Sequence, residues 1–538
     1  MFSVINYLGR AVLTRTALFM EVVMLIKILM LIVFFAVLIL VGVLSRKSAK
    51  NVDGFVLGGR SVGPWLTAFA YGTSYFSAVI FIGYAGQFGW KFGVASTWIG
   101  IGNAVIGSLL AWVILGRRTR LMTHKLDSST MPEFFSKRFN SKGLRIGSSF
   151  IVFIFLIPYT ASLYNGLSRL FEMAFNIDYK YCIIAMAVLT GIYVIVGGYM
   201  ATAINDFIQG IIMLIGIVAV IVAVLNVNGG FMGSMMELAK IPGDFPEYNG
   251  AYTSFVGPLP FDLLGVVILT SLGTWGLPQM VQKFYAIKHE DAIRKGTIIS
   301  TFFAIIVAGG CYFLGGFGRL FLTPDEVKEM GFDAIVPSML STLPDILIAV
   351  VVILVLSASM STLSSLVLTS SSTLTLDFIS GTVVKNMKET SKLICLRVLV
   401  VIFIIISSVI ALIQYSSSVT FIAQLMGVSW GALAGAFLAP FLFSLYWKKT
   451  TKASCWVCFL FGSLLMIANM LFRASFPAVL QSPINCGAFA MLAGFIIVPV
   501  VSLISKKPDE ALVENAFSSY ERPVTVKSKS ILEEEEEN

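Results

Sequence analysis

Runs of about twenty apolar residues recur along the chain, separated by short segments rich in charge, glycine or proline. A helix of about 20 residues crosses a hydrocarbon layer roughly 30 Å thick. The pattern therefore predicts spans near 23–44, 64–88, 92–116, 147–174, 181–199, 204–226, 259–282, 297–321, 344–374, 393–414, 418–447, 454–472 and 484–505. That is an all-α polytopic membrane protein with about thirteen transmembrane helices. Dividing its length by the size of a soluble domain has no meaning for such a chain.

Two of these spans are interrupted. WLTAFAYGTSYFSAVIFIGYAG (65–86) has Gly72 beside Thr73, Ser74 and Ser77 at its middle, and LLGVVILTSLGTWGLPQMVQ (263–282) has Gly273, Gly276 and Pro278. Glycine and proline loosen a helix and free carbonyl and amide groups. Lipid tolerates such groups only where they line a cavity or find partners in the protein. The two broken spans stand five apart, the offset of a five-plus-five inverted repeat whose broken helices flank a site at mid-membrane. Against this stands the general enrichment of glycine and proline in membrane helices.

A third feature is chemical. Residues 356–377, LSASMSTLSSLVLTSSSTLTLD, hold twelve Ser or Thr and continue the apolar run DILIAVVVILV. At 100° per residue, Ser357, Ser361, Ser364, Ser365 and Ser372 share one face about 100° wide, with Thr362 at its shoulder. Hydroxyls in a span can fold back on the i−4 carbonyl, or small residues can serve close packing. A contiguous hydroxyl face also suits a hard alkali cation, because neutral oxygens replace its water without burying further charge. Asp206, after the pair Gly197–Gly198, would add one full negative charge. An acid at that depth points to function, or else it favours the positive end of its own helix.

Composition agrees with the spans and limits the chemistry. Hydrophobic residues make up 57% and charged residues 12% of 538, against about a quarter charged in soluble proteins. The net charge of +9 gathers in alternate connecting segments: Arg46 to Arg60, Arg117 to Arg145, and Lys283 to Lys295. By the positive-inside rule these face the cytoplasm, so the N-terminus lies outside and the C-terminus inside a cell membrane. The cations then meet lipid headgroups, and nucleic acid is not an expected partner. The six cysteines include a CxxC, Cys455 and Cys458, that lacks further metal-ligand residues and reads as core. His124 and His289 have no catalytic companions, so no enzyme is expected.

The segments FVLGGRSVGPW (55–65), FIGYAG (81–86), GGYMATAINDFIQG (197–210), TWGLPQ (274–279) and SASMSTLSS (357–365) follow in this order. Together, from about 23 to 450, they resemble the sodium:solute symporter family. GGR, Trp-Gly-Leu and FLAPFLFSLYW (437–447) are most similar to its sodium/proline and sodium/pantothenate branches. The resemblance implies a LeuT-like core and sodium-coupled import of a small organic solute by alternating access. The domains would be an N-terminal extension 1–22, an artefact of gene prediction on one reading, and a peripheral helix 23–44. A transport core 64–447, two peripheral helices within 454–505 and a disordered cytoplasmic tail 506–538 would follow.

Residue by residue, the resemblance implies one Na+ site formed by the carbonyls of Thr73, Phe76 and Ala358 and the hydroxyls of Ser361 and Thr362. A second Na+ site, present in some members, would use Asp206, Ser361, Ser364 and Ser365. Substrate would lie near Tyr75, Ser77, Trp275 and Gln279. Val79 and Ile80 replace the polar pair of sugar-transporting relatives, and Tyr75 stands where the proline branch has an acid. A small amino acid such as proline, or a small carboxylate, is therefore expected. A sugar symporter, a channel and a non-transporting solute sensor are the alternatives. The carrier would work as a monomer in the bilayer, with two sodium ions per cycle unless Asp206 only caps its helix.

Overall fold

The computed structural model describes residues 24–521, apart from 176, 244–248, 385 and 418–421. The N-terminal extension 1–22 and the tail beyond 521 lie outside the described residues. Among the described residues the secondary structure is helical without a β-strand; one isolated bridge joins Val62 to Ile287.

Eleven of the described helices are long and apolar enough to cross a membrane. The sequence reading counted thirteen because it divided two very long helical runs and joined two short pieces. One run, Tyr179–Val227, has 49 residues, about 74 Å at 1.5 Å per residue. It turns sharply at Gly198 (φ 55°, ψ −148°). A side chain there would be strained in its backbone and would meet the Phe55 carbonyl oxygen at 2.9 Å. The other run, Val79–Lys125, turns at Gly93 (φ 60°, ψ −143°).

Seven helices position the site. They are α1 (Pro64–Tyr75), α2 (Lys142–Phe175), α3 (Tyr179–Val227), α4 (Pro260–Leu272), α5 (Pro278–Tyr285), α6 (Asp345–Thr373) and α7 (Ile422–Tyr446). Both expected breaks are present. Helix α1 stops at Tyr75, Phe76 is extended (φ −103°, ψ 95°), and helix resumes at Val79. Between α4 and α5 the chain tightens into a 3-10 turn at Gly273–Trp275, and Leu277 is extended (φ −80°, ψ 120°). Steric conflict with the Pro278 ring keeps Leu277 out of the helical region, while Pro278 itself suits the first turn of α5. Gly276 lets this break lie against α7: a Cβ there would stand 2.8 Å from the Leu438 amide nitrogen and 2.9 Å from the Ala434 Cα.

Helix α6 is the hub. Every residue from Val351 to Thr373 is buried, so it has no lipid face in this part. It packs against α2, α3 and, across the break, α1. Its hydroxyls can then find partners only inside the protein; those of Ser357, Ser359 and Ser370 have none among the described residues, while others do. Ser371 donates to the Val367 carbonyl at 2.7 Å, Ser372 to the Thr369 carbonyl at 3.0 Å, and Thr369 to the Gln282 side-chain carbonyl at 2.8 Å. Beyond α6, Asp377 is held by Arg145 (2.8 Å) and Thr130 (2.6 Å). At the other end, Lys27 on the peripheral first helix pairs with Asp345 at 2.7 Å.

The tail corrects one expectation. Residues after 506 are not solvated throughout: Glu510–Phe517 is a helix capped by the Asp509 side chain, with Val513, Ala516 and Phe517 buried. Apolar residues at three- and four-residue spacing supply a packing face. Phe517 meets the Arg138 guanidinium at 5.1 Å, and the Tyr520 hydroxyl donates to the Leu445 carbonyl at 3.1 Å.

Candidate sodium and solute site

The break in α1 brings backbone oxygen to the hydroxyl face of α6. Ser361 Oγ lies 3.2 Å from both the Thr73 and the Ala358 carbonyl oxygens. Thr362 Oγ1 lies 3.3 Å from the first and 3.1 Å from the second. Four oxygens, two from each kind of group, thus converge from two helices, and all four residues are buried. Oxygen ligands about 2.3–2.6 Å from a cation of calcium-like size, set at right angles, are about 3.3–3.7 Å apart. The observed edges of 3.1–3.3 Å are at or slightly below that range. Phe76, the fifth residue expected here, is the extended residue that closes α1, with its amide donating to the Gly72 carbonyl at 3.1 Å. Because the set is neutral, a bound cation brings the only full charge.

The second expected set comes together differently. Ser361 faces the first set, and Ser364 Oγ donates to the Ser361 carbonyl of its own helix at 2.9 Å. Ser365 and Asp206 do approach one another, but Lys283 stands between them. Its Nζ donates to Ser365 Oγ at 2.9 Å and pairs with Asp206 Oδ2 at 3.7 Å. Ser365 Oγ also shares a hydrogen bond with Ser74 Oγ on α1 at 2.8 Å. Lys283 is 2% exposed and belongs to α5. The sequence reading had placed it in a cytoplasmic connecting segment, because a lysine at the end of an apolar run reads as a topology signal. Asp206 lies about two turns beyond the bend at Gly198.

The four substrate candidates divide into two kinds. Tyr75 and Trp275 spend their polar atoms on the scaffold: the Tyr75 hydroxyl donates to the Thr270 carbonyl at 2.5 Å, and Trp275 Nε1 to the Ile106 carbonyl at 3.0 Å. The Tyr75 ring is stacked on Phe76 at 4.3 Å. Ser77 and Gln279 are different. Ser77 Oγ and both polar atoms of the Gln279 side chain are buried without a hydrogen-bond partner. Buried polar groups rarely stay unpaired without a functional reason. The sequence reading missed two companions. The Tyr159 hydroxyl on α2 lies within loose reach of Ser77 and Trp430, and neither it nor Trp430 Nε1 makes a hydrogen bond of ordinary geometry. Their rings lie 5.9 Å apart edge to face, and Trp430 leans over the second break, 2.9 Å from where a Gly273 Cβ would stand. A tyrosine directly after Pro158 in an apolar span was the available signal.

Among the described residues no cluster of His, Cys, Asp and Glu is fit to hold a metal, and the six cysteines are unpaired, Cys455 and Cys458 being buried as core. Comparison with known proteins then decides the class. The profile of the sodium:solute symporter family matches residues 55–462. The chain belongs to the sodium:solute symporter family. A sodium/proline symporter of Staphylococcus aureus (strain JH9) is 31% identical over 494 residues, covering 89% of this chain and 93% of the relative. The protein of strain NCTC 8325 gives the same figures. A Na+-coupled sialic acid symporter, solved in a substrate-bound outward-open state, superposes with a TM-score of 0.73 at 17% identity, over 90% of this chain and 98% of the other. That likeness speaks for the fold, which is LeuT-like. This family member is a multi-pass membrane protein that couples sodium to the movement of a small solute, and it is not an enzyme.

Proposed function

We propose that this symporter imports a small amino acid, of which proline is the favoured candidate, together with sodium bound by Thr73, Phe76, Ala358, Ser361 and Thr362. The observation that carries the ion site is the meeting of the Ser361 and Thr362 hydroxyls with the Thr73 and Ala358 carbonyls across the α1 break. Ion and substrate are coupled through that break. An ion that fixes the Thr73 carbonyl also fixes the chain from Thr73 to Ser77, and Ser77 offers an unpaired hydroxyl to the solute. Gln279, Tyr159 and Trp430 supply further donors and acceptors, and the Tyr75 and Trp275 rings cover apolar surface. This balance suits a compact zwitterion with an apolar ring. The 31% identity to a sodium/proline symporter supports the same choice, and Val79 and Ile80 disfavour a sugar, whose hydroxyls would lack partners there.

The carrier sits as a monomer in the cell membrane, N-terminus outside and C-terminus inside, as the distribution of lysine and arginine favours. One charge entering down 100 mV contributes about 2.3 kcal/mol, and a tenfold sodium gradient about 1.4 kcal/mol. Together these sustain roughly 500-fold accumulation of a neutral solute per sodium ion. The test is uptake of labelled proline, other small amino acids, small carboxylates and a hexose into proteoliposomes, with and without an inward sodium gradient. Sodium-driven accumulation of proline is expected. Accumulation of a carboxylate alone would transfer the reading to that class, and flux that never exceeds its gradient would reject coupled transport.

A further inference from the structure

We infer that Lys283 is the resident cation of the second pocket, so that its ammonium does there what a second sodium ion would do, and the carrier couples to one sodium per cycle. The inference rests on the assignment of the first ion site above, and it adds a residue that decides how many ions are bound.

The geometry is that of a cation and its shell. Lys283 Nζ reaches Ser365 Oγ at 2.9 Å and Asp206 Oδ2 at 3.7 Å, and it faces the Tyr199 ring at 5.3 Å from the centroid. A hydroxyl, a carboxylate and an aromatic face are three recognised partners for an ammonium. Lys283, Asp206, Ser365 and Tyr199 are all buried, and a buried carboxylate requires a compensating charge. Lys283 supplies it without an ion from solution. A sodium ion bound by Asp206 and Ser365 would have to share their small space with the ammonium, and the two positive charges would repel.

Placement gives the pair a role in the transport cycle. Lys283 belongs to α5, the second half of a broken span, whereas Asp206 and Ser365 belong to the long helices α3 and α6. Ser365 continues the chain of contacts to Ser74 on α1, one residue beyond Thr73 of the first site. A free ion at this place would bridge the two broken spans to α3 and α6 and then depart to the cytoplasm. The ammonium makes the same bridge but stays on its four-carbon stem, so it adds no charge to the transported load.

Counting bound ions tests this without knowledge of the solute. Equilibrium binding of ²²Na+ to the purified full chain in lipid nanodiscs should give one ion per wild-type protein. Lys283→Ala clears the pocket and leaves Asp206 bare, and should raise the count to two. Adding Asp206→Asn to that variant should return it to one, and Lys283→Arg, which keeps the charge, should stay at one. A wild-type count of two that falls to one in Asp206→Asn would overturn the inference. So would a count of one in a folded Lys283→Ala protein. If that variant does not fold, the wild-type and Lys283→Arg counts still decide. Failure of the first site is separately visible: the wild type would bind none, or Thr362→Val would retain its ion, whatever Lys283 does.

Discussion

Replacing the two hydroxyls of the proposed sodium site separates coordination from packing. Ser361→Ala and Thr362→Val each remove one oxygen, and the valine keeps the branched shape of the threonine. Each hydroxyl lies between the Thr73 and Ala358 carbonyls at 3.1–3.3 Å. With sodium bound, those carbonyls point at the ion, and the lost oxygen leaves one ligand position open in a site closed to water. Loss of one partner in a buried polar site costs about 1–3 kcal/mol. At about 1.4 kcal/mol per factor of ten, the sodium concentration for half-maximal uptake should rise about five- to a hundred-fold. Ser361→Thr, which keeps an oxygen, should lie between wild type and Ser361→Ala. Ser371→Ala is the internal control. Its hydroxyl is tied to the Val367 carbonyl of its own helix at 2.7 Å, and its loss should move the sodium dependence less than about twofold, since a net hydrogen bond of this kind is worth only about 1 kcal/mol of folding and none of ion binding. The assay is initial-rate uptake against sodium in proteoliposomes, normalised to incorporated protein. If Ser361→Ala and Thr362→Val keep the wild-type half-saturation, these hydroxyls only pack, and the convergence of four oxygens is incidental.

Trp275→Ala removes a ring that walls the proposed solute site and should raise the substrate KM at least tenfold while sodium affinity changes less; equal changes in both would make the residue scaffold. Gly276→Ala should abolish folded carrier in the membrane, because its new methyl would meet backbone atoms of Ala434 and Leu438 at 2.8–2.9 Å; normal expression with normal uptake would contradict the close packing of the second break. Arg145→Ala leaves buried Asp377 without its ion-pair partner and should cost about 3 kcal/mol, read as a lowered melting temperature in detergent, whereas Lys142→Ala at an exposed position should leave it unchanged. For topology, a cysteine at exposed Met232 should react with an impermeant reagent applied to intact cells and one at exposed Lys142 should not; the reverse pattern would reject an external N-terminus.

Class and breaks were legible in the sequence because each depends on local properties of the chain. Lipid demands about twenty apolar residues per crossing, so spans appear as runs. Pro278 disfavours helical geometry at Leu277, and the neighbouring Gly273 and Gly276 add to the signal of a break, whereas Pro158 and Pro440, without such a pair of glycines beside them, lie inside continuous helices. Oxygen-rich stretches in such runs are visible because hydroxyls are costly there without partners. What the tertiary structure alone decided is which hydroxyl serves which purpose. Ser361, Ser364 and Ser365 share one face of α6, yet one meets the α1 break, one bonds its own helix and one meets a lysine. Helical periodicity supplies the face, but the neighbours at each depth come from other helices, hundreds of residues away in the chain. Lys283 shows the same limit most sharply. Its local surroundings, a cation closing an apolar run before a charged segment, are those of a topology signal at the membrane surface. Only the packing of α5 against α1 and α6 turns that ammonium inward, where it faces the buried Asp206 carboxylate of α3.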